Sequence, residues 1–525
     1  MFSTIMKKVG LSAFIIVFSF GFAVPAFALD EITRVSVAGD GSQANSNSFN
    51  SDAVSADGRY VVFSSNASNL VAGDINSNYD VFVHDTQTGD VELISVNSSE
   101  VQDATGYSSF PSISDDGRYV VFRSSADDLV SPQTTTGQFN IYLRDRTSGT
   151  TEIMSVDASG NEGDDNSFTP VISGDGSTVA FLSSATNLVA GDGNAVYDVF
   201  VRAYNNEASI ERVSVDTLGA DSNGASYTPA ISEDGTYVVF RSLATDLDAG
   251  CLGAGQTYVR NTIANTTNCV SVVGSTVQTE ANSGSYQFPS ISADGRYVSF
   301  TTGANNLDPT VCSNNLNIFV RDTVDETTTC VSTNVDGVEG DGDSYYGTIS
   351  ADGTHVVFVS EAGNLVADDT EGNTDVFVKK ISTGEVVRVT VNTNGDGGNE
   401  DSVGQGDSFP AITEGGEYVV FSSGASNLIT SGTDTNLEVD VFMTPVDFGS
   451  TGSASSSRGV SRMRLFGYLN SKKAQLPTCA QTLPDCIRTV QSFLISNGFG
   501  VGMPVDGIKG PLTIGALTGW FAVNK

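Results

Sequence analysis

Ile113–Phe122 reads ISDDGRYVVF, and the chain repeats that phrase six more times: VSADGRYVVF from Val54, ISGDGSTVAF from Ile172, ISEDGTYVVF from Ile231, ISADGRYVSF from Ile291, ISADGTHVVF from Ile349 and ITEGGEYVVF from Ile412. The matching glycines, from Gly58 through Gly117 to Gly416, recur about every 59 residues. A fixed period of this size is one supersecondary unit repeated. Asp-Gly within the phrase supplies the positive φ that a tight hairpin needs, and the apolar run after it reads as a strand buried on both faces.

Working outward within the second repeat, Pro111 to Ser114 is a short strand and Tyr119 to Phe122 the strand after the hairpin. A polar loop leads to a third strand, Asn140 to Asp145. Thr147-Ser148-Gly149 turns the chain into a fourth strand, Glu152 to Val156. Four antiparallel strands, repeated seven times without helical periodicity, predict an all-β chain folded as a seven-bladed β-propeller, since a lone blade cannot bury both faces. The ends say how the ring closes. The seventh repeat stops after its third strand, Val439 to Met443, while EITRVSV from Glu31 matches the fourth strand ERVSV from Glu211. The N-terminal strand is therefore expected to complete the last blade.

The repeats occupy residues 30–446. Before them, Lys7 and Lys8, an apolar run from Val9 to Val24 and Ala26-Phe27-Ala28 have the form of a cleaved signal peptide over residues 1–28. Residues 447–478 read as a Gly/Ser-rich and then basic linker, and residues 479–525 as a small α-helical domain. No membrane association is expected once the signal is removed. The chain carries a formal net charge of −37. Asp30–Asp447 holds a net −45 and Arg458–Lys525 a net +6. So acidic a body excludes nucleic-acid binding by counterion release and suits cations or solubility in an exported setting.

The P-x-I-S-x-D-G-R-Y-V-x-F phrase and the D-x-F-V-x-D strand resemble the TolB-like, WD-type propeller repeats of bacterial envelope proteins, over residues 31–445. The resemblance implies a propeller that binds partners, and fold by itself does not fix activity.

The first-to-second and third-to-fourth turns share one face and are short hairpins. The second-to-third and fourth-to-first loops share the other face and are longer, variable and rich in Asp and Asn, which makes it the candidate functional face. Before the third strand these loops carry Asp74-x-Asn76-x-Asn78-x-Asp80, Asp369-x-Glu371-x-Asn373-x-Asp375 and Asp434-x-Asn436-x-Glu438-x-Asp440, with a partial version in Asp192, Asn194 and Asp198. Oxygen ligands at alternate positions are how a short loop wraps Ca²⁺, so calcium is a candidate cofactor. The plainer reading is that Asp and Asn favour turns. In repeats four and five the place of Asp74 is taken by Gly250 and Val311, each followed by a cysteine. Cys251 with Cys269 and Cys312 with Cys330 have equal spacing, and Cys479 with Cys486 makes a third pair, so three disulfides are expected in an exported chain. Repeat two has neither ladder nor cysteine, with Thr134 and Thr136 instead, and most of these loops are then expected to need a staple, supplied by metal or by disulfide.

No enzyme signature is found. His84 and His355 stand in different places in their repeats, there is no G-x-S-x-G elbow, and paired carboxylates mean little on so acidic a surface. In the tail, Ile487, Val490, Gln491 and Leu494 have helical spacing. Asp506, Gly507, Gly510, Thr513, Ala516, Leu517, Trp520 and Phe521 complete a pattern that resembles peptidoglycan-binding-domain-like modules, with Val490 standing where leucine is usual. The resemblance implies non-catalytic attachment to cell-wall glycopeptide. The expectation is an exported scaffold in the periplasm, cell wall or medium, whose propeller offers an acidic loop face to an envelope protein. The alternatives are a secreted glycan or peptide hydrolase with a wall-targeting module, and a structural surface component.

Overall fold

The computed structural model describes residues 31–448, apart from 51–53, 103–105, 205–208, 275–278, 287, 371, 403–407 and 430–433. The signal segment, the tail domain with Cys479 and Cys486, and Glu371 therefore lie outside the described residues.

Seven four-stranded antiparallel sheets form the blades, with one extra two-stranded ribbon, Val272–Val273 with Thr279–Glu280. Six sheets run in chain order. The seventh joins Ala411–Ile412, Tyr418–Ser423 and Asp440–Pro445 to Thr33–Arg34. Thr33 pairs with Met443 and Arg34 with Phe442, so the N-terminal strand closes the ring as its sequence match requires. Each second strand is fully buried at its centre, for example Val61, Val62 and Phe63, and its phenylalanine stacks on the aromatic of the third strand, Phe63 on Phe82 at 5.8 Å. This pairing recurs in every blade, and stacked aromatics contribute beyond their buried area.

The repeated phrase also joins blades. In the second repeat Ser114 Oγ donates to Asp116, whose carboxylate accepts the Arg118 N–H, while Tyr119 N–H donates back to Ser114 Oγ. Gly117 has φ +71°, and a Cβ there would lie 2.1 Å from Tyr60 of the preceding blade. The glycine thus meets two demands at once: a left-handed turn and a seat for the neighbour's ring. The third strands add a side-chain latch. His84 Nδ1 meets Val35 O at 2.6 Å, Arg202 donates to Val156 O at 2.8 Å and Lys379 to Thr333 O at 2.7 Å, each reaching the backbone of the blade before it. His84 is thus a buried packing residue. His355 stacks on Phe448 at 5.5 Å, as the aromatic it replaces in the other repeats would allow.

Candidate functional site: an aromatic-rimmed channel mouth

The first strands line a central channel. At the hairpin face it is narrowed by backbone hydrogen bonds from blade to blade: Ala56 N–H to Asp115 O, Asp115 N–H to Gly174 O, Glu233 N–H to Ala293 O and Ala293 N–H to Ala351 O, at 2.8–3.2 Å. Asp115, Glu233 and Glu414 stand at this narrow end. Above it the wall is apolar, built from Ile113, Ile172, Ile231 and their counterparts.

Halfway up, the first strand is bulged in four blades, with register breaks at Ser109/Ser112, Phe168/Val171, Tyr227/Ala230 and Tyr345/Thr348. The residues at the bulge have positive φ: Phe110 52°, Thr169 42°, Thr228 46° and Tyr346 56°, and Phe288 at the matching place has 65°. Four of these five precede a proline, which ordinarily holds its neighbour extended, and threonine at positive φ is an outlier. Backbone held this way costs on the order of 1–3 kcal/mol per residue and collects where a surface is shaped for function. Here it turns Phe110, Phe288 and Tyr346 toward the channel.

At the loop face the mouth is rimmed by rings. Two offsets supply them: the residue before the third strand (Tyr79, Phe139, Tyr197) and the second residue of the first strand (Phe49, Phe168, Tyr227). With Tyr107 they form a chain of neighbours, Phe49–Tyr79–Tyr107–Phe139–Phe168–Tyr197–Tyr227, whose centroids are 5.4–6.1 Å apart. The arc spans blades one to four, and every member is half-buried. Arg123 stands within it, over Phe110 at 4.3 Å and Phe139 at 5.2 Å, and Arg241 lies over Tyr227 at 5.6 Å, its guanidinium pKa lowered by burial. Across the mouth, Phe288 packs against Tyr346 at 5.8 Å and Phe409 at 4.8 Å. Sequence reasoning missed this rim. Its signal was present as an aromatic directly before the D-x-F-V strand in repeats one to three, hidden because neighbouring members come from different loops.

The acidic ladders sit outside this mouth, each tucked against its own fourth strand. In blade three Arg212 Nη1 lies 3.1 Å from Asp192 and 3.6 Å from Asp198. In blade six Arg388 Nη1 lies 3.1 Å from Asp369 and 3.2 Å from Asp375. In blade seven Arg34 Nε lies 2.9 Å from Asp440, with Asp434 at 4.0 Å, and Gln43 donates to Asp434, Asn436 and Asp440. Asn194 accepts the Val196 N–H, Asn373 donates to Gly398 O, and Glu438 turns away to the mouth. A guanidinium thus stands between the carboxylates that a cation would bridge. Register explains the pattern: Arg212, Arg388 and Arg34 pair across the ladder with Phe200, Phe377 and Phe442, and Cys269 and Cys330 occupy the same place opposite Tyr258 and Phe319. Disulfides join Cys251 to Cys269 and Cys312 to Cys330, linking that strand to the same loop. The expected disulfide is therefore present in two blades, and in three others the loop is tied by an ion pair from a fourth strand that the sequence reading did not connect to it.

Blade one differs. The register position is Leu93, and Asp74 and Asp80 are bridged instead by the Gln102 side chain, whose Nε2 donates to them at 3.2 and 2.6 Å. Asn76 and Asn78 shape the turn, Asn76 accepting the Asn78 N–H. Without a cation, burial pushes the Asp80 carboxyl up to about 7. Asp198, Asp375 and Asp440 are also raised by burial, but only to about 6, their arginines pulling against it. Among the described residues no group of three or more His, Cys, Asp or Glu side chains is arranged to hold a metal ion, and no helix is long and apolar enough to cross a membrane.

No family model matches the sequence, and no curated protein matches it either. Solved structures similar to it share the propeller architecture. An oligogalacturonate lyase from Vibrio parahaemolyticus is 12% identical, with 79% of this chain and 93% of that one covered and a TM-score of 0.47. TolB from Acinetobacter baumannii is 12% identical over 74% and 80% of the two chains, with a TM-score of 0.33. The β-propeller domain of the trilobed protease from Pyrococcus furiosus is 10% identical over 78% and 100%, with a TM-score of 0.44. Enzymes and TolB thus stand side by side among these structures, so the likeness is one of fold.

Proposed function

We propose that this chain is an exported binding protein whose propeller receives a partner at the loop-face mouth of its channel. The observation that carries this reading is the arc of seven half-buried rings from Phe49 to Tyr227, with adjacent centroids no more than 6.1 Å apart. Contiguous aromatic surface rimmed by polar loops is what the centre of a binding interface is made of. Two disulfides within the propeller fit an oxidising compartment outside the cytoplasm, in the periplasm, cell wall or medium. The tail domain, by its resemblance, would hold the protein to peptidoglycan. Calcium is retained for one loop, that of blade one, which alone among the four ladders has no arginine between its carboxylates.

The test is capture from envelope extract by the wild-type chain and by a Tyr107→Ser/Tyr197→Ser variant. A partner that is enriched by the first and lost by the second supports the reading. A partner retained equally by both places binding elsewhere and refutes it. The competing reading is a secreted hydrolase whose catalytic carboxylates lie on the loop face, such as Glu400 and Glu438. Turnover of a glycan or peptide substrate that Glu400→Gln and Glu438→Gln abolish would establish it.

A further inference from the structure

The mouth has two unlike halves. Arg123 and Arg241 belong to the arc of blades two to four, whereas the other half opens into a cavity of about 870 Å³ between blades five, six, seven and one. This size is that of a ligand pocket. Five rings line it: Phe49, Tyr286, Phe288, Tyr345 and Tyr346. Four carboxylates share the wall, the exposed Glu361, Glu400 and Asp401 and the half-buried Glu438, and among the described residues no Lys, Arg or His side chain lines it. Tyr345 donates its hydroxyl to Glu361, which fixes one ring against one charge. Thr301, 1% exposed, also belongs to this wall, and its hydroxyl has no hydrogen-bond partner among the described residues.

Aromatic faces and carboxylates with no internal cation are complementary to one chemistry above others. An ammonium or guanidinium group gains from the ring quadrupole and from the carboxylates at once. In the ladders this protein fills such acidic space with its own arginines, but in the cavity it does not. We infer that the cavity between blades five and one receives a basic peptide segment, with a Lys or Arg side chain seated among Phe288, Tyr345 and Tyr346. The inference rests on the binding-protein reading and names the partner's chemistry. The acidic body supports it further, because a net −45 steers a basic chain toward the molecule from a distance.

The probes are fluorescein-labelled hexa-arginine, hexa-lysine and hexa-glutamate and the neutral sugar chitohexaose, titrated against the full mature chain at 0.15 M salt. Glu400→Gln/Glu438→Gln removes two charges from the cavity. Glu233→Gln/Glu414→Gln removes two from the opposite end of the channel and controls for general attraction. Phe288→Leu keeps an apolar side chain but removes the π face. The expected result is that the basic peptides bind and hexa-glutamate does not. Binding weakens at least fivefold in the cavity variant, less than twofold in the control and threefold or more in Phe288→Leu. Equal weakening in the two charge variants would overturn the inference, since attraction by the acidic surface alone would explain it. Binding of chitohexaose that Phe288→Leu abolishes, without binding of basic peptide, would also overturn it while leaving the mouth a binding site. Loss of partner capture on changing Tyr107 and Tyr197 tests the parent reading separately.

Discussion

Leu93→Arg grafts onto blade one the arginine that blades three, six and seven carry at the same register. Leu93 pairs with Phe82 as Arg212 pairs with Phe200 and Arg388 with Phe377, so the new guanidinium falls beside Asp74 and Asp80. Asp80 is 2% exposed and its pKa is about 7 in the folded chain, against 3.8 unfolded. A carboxyl with a raised folded pKa stabilises the fold fully below pH 3.8, and that contribution is lost as pH rises through about 7. The ionised group at pH 8 therefore costs about 4 kcal/mol. Where an arginine is present the same carboxyl titrates near 6, and one unit is worth about 1.4 kcal/mol. The arginine stem keeps part of the packing of half-buried Leu93, so the net gain at pH 8 is about 1 kcal/mol. At pH 4.5 Asp80 is protonated, the guanidinium faces a neutral acid, and the variant is less stable than the parent. Urea unfolding followed by far-UV circular dichroism at the two pH values measures the difference. A change of the same size and sign at both would refute the account, because packing alone does not titrate.

Gly117→Ala meets both a φ of +71° and the Tyr60 ring, and loses about 2–5 kcal/mol; Tyr60→Ala in the same chain recovers part of that loss, which a purely conformational penalty would not allow. Cys312→Ser/Cys330→Ser opens an 18-residue loop and lowers stability by about 3 kcal/mol in oxidising buffer, while the parent reduced under denaturing conditions and refolded in reductant falls further, because Cys251–Cys269 opens as well. Adding calcium after chelation raises the thermal midpoint at pH 7, and Asp74→Asn or Leu93→Arg removes the response; no shift at millimolar calcium would end the calcium reading.

How much of this was legible follows from which residues lie close along the chain. The hairpin phrase is local, so Asp116-Gly117-Arg118-Tyr119 announced its turn, its strand and, by recurrence, the ring. Ring closure was legible because Glu31–Val37 matches a strand that the seventh repeat lacks. The disulfides were legible because each pair lies within one repeat. The partners of the ladders were not. Arg212 follows Asp192 by 20 residues, and only the pairing of Arg212 with Phe200 shows that they meet. The rim was less legible still, since Tyr79 of one blade touches Tyr107 of the next and neither loop has a motif of its own. The bulge that aims Phe110 inward is a backbone event, and the proline after it argued for an extended residue.

The two faces of the ring divide the labour, and the arginines show how. Arg59, Arg118 and Arg296 on the hairpin face clasp Asp85, Asp145 and Asp322 of their own blades, and the exposed guanidiniums add little to stability. On the loop face a buried arginine stands in three of the four ladders, so the buried acids of blades three, six and seven are met from within. Two groups on this face have no such arginine: the loop of blade one, where glutamine bridges two acids, and the cavity wall holding Glu361, Glu400, Asp401 and Glu438. Buried acids in three blades are met by arginines from within, whereas the acids at the mouth stand open to solvent beside aromatic faces, and a cation arriving from outside can reach both at once.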